Sequence, residues 1–454
     1  MSTKEGKMKR YLLTALADWK KSVCRKPLLL LGARQVGKTW LMQEFAREQY
    51  RNVVYVRFDR DARMKESFER DYDMKRILTS LQLHAEAAVV PGETLIILDE
   101  IQECQAALTS LKYFCEDLPE QHVVAAGSLL GLYEHSGTGF PVGKVNMMHL
   151  YPMSYTEFLE ACGQSRLVDL LNSRDWQMIT LFAERLAEYL RYYYFVGGMP
   201  EAVRIFADNR DFSQVREMQL DLLAGYRRDF SKHAPLEQWP RIGMIWDSLP
   251  VQLARENKKF MCSEVKHGMR MRHLELSLQW LYDAGLAYAV RRVSKPALPV
   301  NAYSERAFKL FHLDVGLLAA QAGLRADVIL EGNRIFQEFK GALAEQYVQQ
   351  ELRASCSLNP YYWTSSNGQT EIDFLIQLGM ELVPLEVKAE LNLTAKSLKS
   401  YCQKFEPTIS IRTSMANYHV QQIPLNGTER SYTQLDIPLY ALSQLARESE
   451  RWMP

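Results

Sequence analysis

The sequence predicts an α/β protein: a parallel sheet with helices on both faces, followed by smaller helical and α/β parts. Three observations carry that prediction. The run "KPLLLLGARQVGKTWLMQEFA" joins an apolar strand, a glycine-containing loop and a segment with helical spacing of its apolar residues. A second apolar run, "GETLIILDEIQEC", ends in Asp99-Glu100. Further short runs, "VVYVRFD", "HVVAAGS" and "KVNMMHLYPM", alternate with helical stretches, the pattern that builds parallel sheets.

The first run matches G-x-x-x-x-G-K-[ST] at Gly32, Gly37, Lys38 and Thr39, in the strand–loop–helix setting this P-loop motif requires. Gly32, Ala33, Arg34, Gln35, Val36, Gly37, Lys38, Thr39 and Trp40 are the expected nucleotide cradle. Their backbone N–H groups and the helix N-terminus attract phosphate. Lys38 would reach the β- and γ-phosphates, and the Thr39 hydroxyl would ligate Mg²⁺. In the second run, Asp99 is expected to complete the Mg²⁺ site and Glu100 to polarise the attacking water. A third strand ends near Ser128, which could sense the γ-phosphate, although a serine there is more often a cap or turn residue.

Composition bounds the rest. The 454 residues suggest about three domain-sized units. Apolar content of 47% supports real cores, and a net charge of +1 confines any nucleic-acid surface to a local patch. The seven cysteines are scattered without a C-x-x-C pair, which argues against zinc knuckles and a disulfide framework. The N-terminus lacks the pattern of a secretion signal, and no stretch approaches ~18 uncharged apolar residues. The expectation is a cytoplasmic protein with no membrane partner.

Beyond the nucleotide end, "VGGMPEAV" reads as a helix-breaking Gly-Gly followed by Pro200 opening a new helix. Then "MIWDSLPVQLA", "CSEVKHGM" and "RMRHLELSLQWLYDAGL" give three helical candidates. "AYAVRRV" and "FKLFHLD" give two strands, so this stretch reads as a winged helix-turn-helix. From Arg255 to His312, eleven Lys or Arg face five acids, an excess of six that suits a phosphate backbone. A plain protein–protein module is the competing reading. The last part opens near Asn333 with an amphipathic helix that places Phe336, Phe339, Leu343 and Tyr347 on one face and Glu345 on a neighbouring stripe. Three strand candidates follow: "YYWTSS", "TEIDFLIQL" and "LVPLEVKAE". Glu386 and Lys388 lie two apart and so share one side of a strand.

The ordered set "GARQVGKT", "LIILDEIQ", "AAGSLLGL", "LYPMSYTEFL", "YFVGGMPEAV" and "TEIDFLI…PLEVK" spans almost the whole chain. It resembles bacterial and archaeal AAA-type ATPases that carry a poorly characterised C-terminal domain. The resemblance implies ATP as the nucleotide and Ser128 in the sensor position. One departure is Gly143-Lys144, where members usually have Gly-Arg; lysine keeps the charge without the bidentate fork. The C-terminal order of helix and three strands resembles the restriction-endonuclease-like PD-(D/E)xK core. By that resemblance Glu345 is the helix acid, Asp373 and Glu386 are metal ligands and Lys388 orients water or stabilises charge.

The expected architecture is therefore an AAA-type P-loop domain over residues 1–165 and a helical lid over 166–235. A winged helix-turn-helix over 236–325 and a nuclease-like domain over 326–454 complete it. The expected function is ATP hydrolysis with Mg²⁺, acting on DNA, with Mg²⁺-dependent cleavage by the distal domain as a further step. A nucleotide-dependent switch that gates protein partners is the alternative. Arg227 and Arg228 are candidates for an arginine finger in a homo-oligomer, with solvated helix residues as the plainer reading.

Overall fold

The computed structural model describes residues 8–128, 140–331, 337–389 and 395–453. Leu129–Leu132 of "AAGSLLGL", Asn333, Phe336 and Glu390 lie outside the described residues. The chain divides into two compact units, one holding Lys9–Tyr151 with Trp280–Leu286, the other Pro152–Gln279 and the chain from Ala287 onward.

The first unit is built on five parallel strands: β1 (Leu28–Leu31), β2 (Asn52–Arg57), β3 (Thr94–Asp99), β4 (His122–Ala126) and β5 (Asn146–His149). They lie in the order β2-β3-β4-β1-β5. Every residue of β1, β3 and β4 is buried. Successive side chains of a strand point to opposite faces, so both faces of this central sheet are covered. That explains the unbroken apolar runs, each buried leucine contributing roughly 1.5–3 kcal/mol. β5 alternates half-buried and exposed positions, as an edge strand does.

The second unit carries an eight-stranded sheet with a long buried helix. Its strands are β6 (Ala287–Val293), β7 (Ser304–His312), β8 (Tyr361–Thr364), β9 (Glu371–Leu378), β10 (Glu381–Val387), β11 (Ile409–Ser414), β12 (His419–Pro424) and β13 (Ser431–Pro438). Their order is β12-β13-β11-β10-β9-β8-β6-β7. Two differences from expectation stand out. The hairpin read as a wing, β6–β7, is part of this sheet, because β6 pairs in parallel with β8. The middle helix of the expected trio shrinks to the single turn Cys262–Val265, cut short before Gly268 at φ +80°. The helices Trp239–Ala254 and Glu275–Asp283 do form.

The helix Gln337–Ala354 also departs from its expected amphipathic pattern, being buried on every side from Ala342 to Leu352. Its polar residues serve neighbouring backbone. Gln346 accepts from His312 N–H at 2.8 Å and donates to His312 C=O at 2.7 Å. Gln350 accepts from Val315 N–H at 2.9 Å, and Glu351 accepts from Tyr155 N–H at 2.7 Å. Each bond offsets the cost of burying an amide.

The Gly-Gly elbow forms as read. The helix Ala183–Val196 ends at Gly197 (φ +72°), and Pro200 opens the helix Pro200–Asn209. Its hidden partner is Asp314, fully buried, which accepts Gly198 N–H at 2.8 Å and Gly316 N–H at 3.1 Å. A Cβ on Gly198 would come within 2.1 Å of Met153 C=O. Gly198→Ala should therefore destabilise the protein by about 2 kcal/mol or more in urea unfolding. Gly225→Ala, within the helix Phe212–His233 and open around its would-be Cβ, should stabilise by about 0.5–1 kcal/mol.

Burial raises the carboxyl of Glu351 to about 7. Between its ordinary range and pH 7 the unfolded chain ionises while the folded chain keeps the proton. Stability is then fully present at low pH and declines as pH rises through that window. Glu351→Gln should shrink the stability difference between pH 5 and pH 7.5, measured by denaturant midpoints. An unchanged difference would remove Glu351 from the account.

Candidate functional site

The loop between β1 and the helix Lys38–Gln49 has the backbone its glycines were read for. Gly32 lies at φ +146°, and a Cβ there would sit 2.4 Å from Leu150 C=O. Gly37 lies at φ +95° and caps the helix. Gln35 also takes a positive φ, 65°. Ala33 and Val36 are buried beneath the loop, Arg34 and Gln35 are exposed, and Trp40 is half-buried. Lys38 folds back so that its Nζ donates to the carbonyls of Gly32 and Ala33, both at 2.8 Å. Burial lowers its ammonium to about 8, with Glu100 and Asp99 working against that fall. A lysine held on loop carbonyls can turn toward an arriving phosphate without crossing the site.

Thr39 meets Asp99 directly: its hydroxyl donates to Asp99 Oδ2 at 2.7 Å. Tyr55, on the neighbouring strand, donates to the same oxygen at 2.8 Å, and Glu100 N–H donates to Oδ1 at 3.0 Å. Glu100 stands at φ 49°, a conformation unusual for its type and of the kind found at working sites. Its Oε2 accepts from Gln102 at 2.6 Å and from the Ser128 hydroxyl at 3.4 Å. The sheet order explains the meeting, since β4, which leads to Ser128, lies between β1 and β3. Thus Lys38, Thr39, Asp99, Glu100 and Ser128 converge. Tyr55 and Gln102 were not singled out in the sequence, where nothing marks a tyrosine in a strand or a glutamine after an acid pair. Lys144 pairs with Glu116 at 2.8 Å on the surface.

The second candidate set also converges, with additions. Glu386 Oε1 and Lys388 Nζ lie 2.7 Å apart, and Asp373 Oδ2 accepts Val387 N–H at 2.8 Å. Glu345 is ion-paired to Lys258, and its second oxygen lies 3.5 Å from Lys309 Nζ. Lys309 is also 2.6 Å from Glu371 and 4.0 Å from Asp373. Burial, with Glu345 and Glu386 nearby, pushes the Asp373 carboxyl well up, and burial raises Glu386 against the pull of Lys388. Burial also opposes the charge on Glu345, yet Lys258 and Lys309 hold its carboxyl below the usual range. Burial likewise opposes the charge on Lys309, but Glu345, Glu371 and Asp373 outweigh it and raise its ammonium. Among the described residues, no group of three or more His, Cys, Asp or Glu is placed to hold a metal ion. Lys258, Lys309 and Glu371 escaped the sequence reading. The available signal was Lys309 itself, a lone charge between Phe308 and Leu310 in a buried strand.

The basic stretch changes accordingly. Arg255 pairs with Glu264 and Arg292 with Glu305. Lys258 and Lys309 turn inward to Glu345, so two of the six excess charges leave the surface. Arg227 pairs with Asp247, and Arg228 donates to Ala224 C=O at 3.4 Å. No helix among the described residues is long and apolar enough to cross a membrane.

A family model described as an AAA domain matches residues 24–159. Two models described as domains of unknown function match residues 187–328 (DUF8612) and 340–428 (DUF4143). No curated protein matches the chain. Similar solved structures include the Walker-type ATPase PABY2304 of Pyrococcus abyssi, at 16% identity and TM-score 0.46, covering 69% of this chain and 96% of that one. The Aeropyrum pernix ORC1 protein in complex with DNA is similar at 14% identity and TM-score 0.29, over 69% of this chain and 90% of that one. Cdc6p from Pyrobaculum aerophilum follows at 9% identity and TM-score 0.25, over 73% and 97%. The AAA match and the parallel sheet around the glycine loop together make the first unit an AAA-type ATPase domain.

Proposed function

We propose, with the AAA-type domain as premise, that this chain binds and hydrolyses ATP with Mg²⁺ and applies that cycle to DNA. The observation that carries the hydrolysis is the Thr39–Asp99 hydrogen bond of 2.7 Å beside Lys38 and Glu100. The donor set fits a nucleotide-bound Mg²⁺, which takes few protein oxygens and the rest from phosphate and water. Thr39 would ligate it, and Asp99 would hold Thr39 and the ion's water shell. Bound there, Mg²⁺ neutralises charge on the transferring phosphate. Lys38 shifts from the loop carbonyls to the β- and γ-phosphates. Glu100 orients the attacking water, and Ser128, bonded to Glu100, reads whether the γ-phosphate is present.

Glu100→Gln should keep ATP binding and lower hydrolysis about a hundredfold or more. Lys38→Ala should abolish binding of a fluorescent ATP analogue. Hydrolysis at the wild-type rate in Glu100→Gln would remove Glu100 from this role.

The DNA part rests on the basic stretch between Arg255 and His312 and on the helix–hairpin segment that carries it, which we read as winged-helix-like. We further read the C-terminal segment as nuclease-like. The helix Gln337–Ala354, β8, β9, β10, the helix Lys396–Phe405 and β11 follow one another, with β10 and β11 parallel, and this succession supports that reading. Arg270, Arg272 and Arg291 are the residues to test. Replacing all three with Ala should weaken DNA binding and reduce its log–log salt slope by about 2–3, measured by fluorescence anisotropy. Absence of salt-sensitive DNA binding in the wild type, with ATPase intact, would favour the nucleotide-dependent switch acting on protein partners.

A further inference from the structure

We propose that Lys258 and Lys309 take the place of a divalent cation among Glu345, Glu371, Asp373 and Glu386, leaving this centre metal-free and making it a fastening between two segments of the second unit. The inference uses the nuclease-like reading only for the expectation of a metal; the ion pairs stand without it.

Four carboxylates gathered from the helix Gln337–Ala354, β9 and β10 repel one another and require positive charge between them. In a metal-dependent nuclease that charge is Mg²⁺, which demands near-octahedral oxygens at about 2.0–2.1 Å. Here at least one oxygen of each acid is already committed. One Glu345 oxygen is paired with Lys258, and the other is 3.5 Å from Lys309. Glu371 Oε1 is 2.6 Å from Lys309. Asp373 Oδ2 is held by Val387 N–H, and Glu386 Oε1 by Lys388. Asp373 Oδ1 faces Lys309 Nζ at 4.0 Å, and Glu386 Oε2 is buried without a hydrogen-bond partner.

Lys309 is not a surface lysine that happens to lean inward. Its side chain is fully buried, and its Nζ lies 5.1 Å from the centre of the Tyr362 ring on β8. Its backbone is fixed in β7, paired opposite Val290 of β6. To leave the cluster its ammonium would have to give up its ion pairs from a fully buried position. Both lysines come from the 236–325 segment and all four acids from the 326–454 segment. The cluster therefore ties the helix–hairpin segment to the C-terminal segment by charge, and among the described residues no three His, Cys, Asp or Glu are placed to hold a metal ion.

The test is Mn²⁺ binding to the full chain without nucleotide, followed by electron paramagnetic resonance, together with thermal unfolding. Wild type should bind no Mn²⁺ that depends on Asp373. Lys258→Met/Lys309→Met should bind about one Mn²⁺, gain thermal stability when it is added, and lose both on further Asp373→Asn substitution. A wild-type Mn²⁺ ion lost in Asp373→Asn would overturn the proposal and strengthen the metal-nuclease reading. A lysine-free variant as stable as wild type that binds no Mn²⁺ would overturn the proposal and count against the nuclease-like reading as well. Should the lysine-free variant not fold, charge balance supplies the second measurement. Lys309→Met should lower Tm by about 5–10 °C, and Lys309→Met/Glu345→Gln should recover at least half of that loss. No recovery would show that the charges do not compensate one another and would overturn the proposal.

Discussion

An ionised side chain taken out of water costs several kcal/mol unless an opposite charge or hydrogen bonds meet it. The pairing of Glu345 with Lys258 and Lys309 is that constraint at work in the second unit. Glu345 sits on a helix with no solvent face between Ala342 and Leu352, so its charge has nowhere to go but to the lysines. The lysines in turn bind β7 and the chain after the helix Trp239–Ala254 to the helix Gln337–Ala354 and to β9.

The same constraint governs uncharged groups on that helix. Gln346 and Gln350 satisfy backbone at His312 and Val315, and Glu351 satisfies it at Tyr155. Asp314 does likewise for Gly198 and Gly316. These side chains act as caps for chain segments that end inside the protein, where water cannot serve. In the first unit, Asp99 is held by three donors, Thr39, Tyr55 and the Glu100 amide. A carboxylate so held is pre-organised for a cation and needs little rearrangement when one arrives with a nucleotide.

The nucleotide end was legible because its chemistry is local. A glycine is demanded at Gly32, where φ reaches +146° and a carbonyl lies 2.4 Å from a would-be Cβ, and a buried central strand must be continuously apolar. Both leave their mark within a dozen consecutive residues. Of the C-terminal acids, Glu345, Asp373 and Glu386 were singled out through the resemblance and the E-x-K spacing, and Glu371 was not. The helix Gln337–Ala354 was not legible in that way. Its glutamines occupy positions that read as a wet face, and only the chain segments packed against them reveal the bonds they make. The hairpin β6–β7 was visible as a hairpin but not as part of a larger sheet, since a parallel partner such as β8 lies some seventy residues away.

By itself, the sequence determined the glycine loop and its lysine, the acid pair at the end of β3, the order of helices and strands and the acids that gather at Glu386. Each follows from residue types a few positions apart. Only the tertiary structure decided what those acids face. Lys258 and Lys309 are distant in the chain and carry no motif, and their inward turn depends on strand register and helix packing. Charge compensation in a protein interior is settled by which side chains meet across elements, and spacing along one element does not encode that.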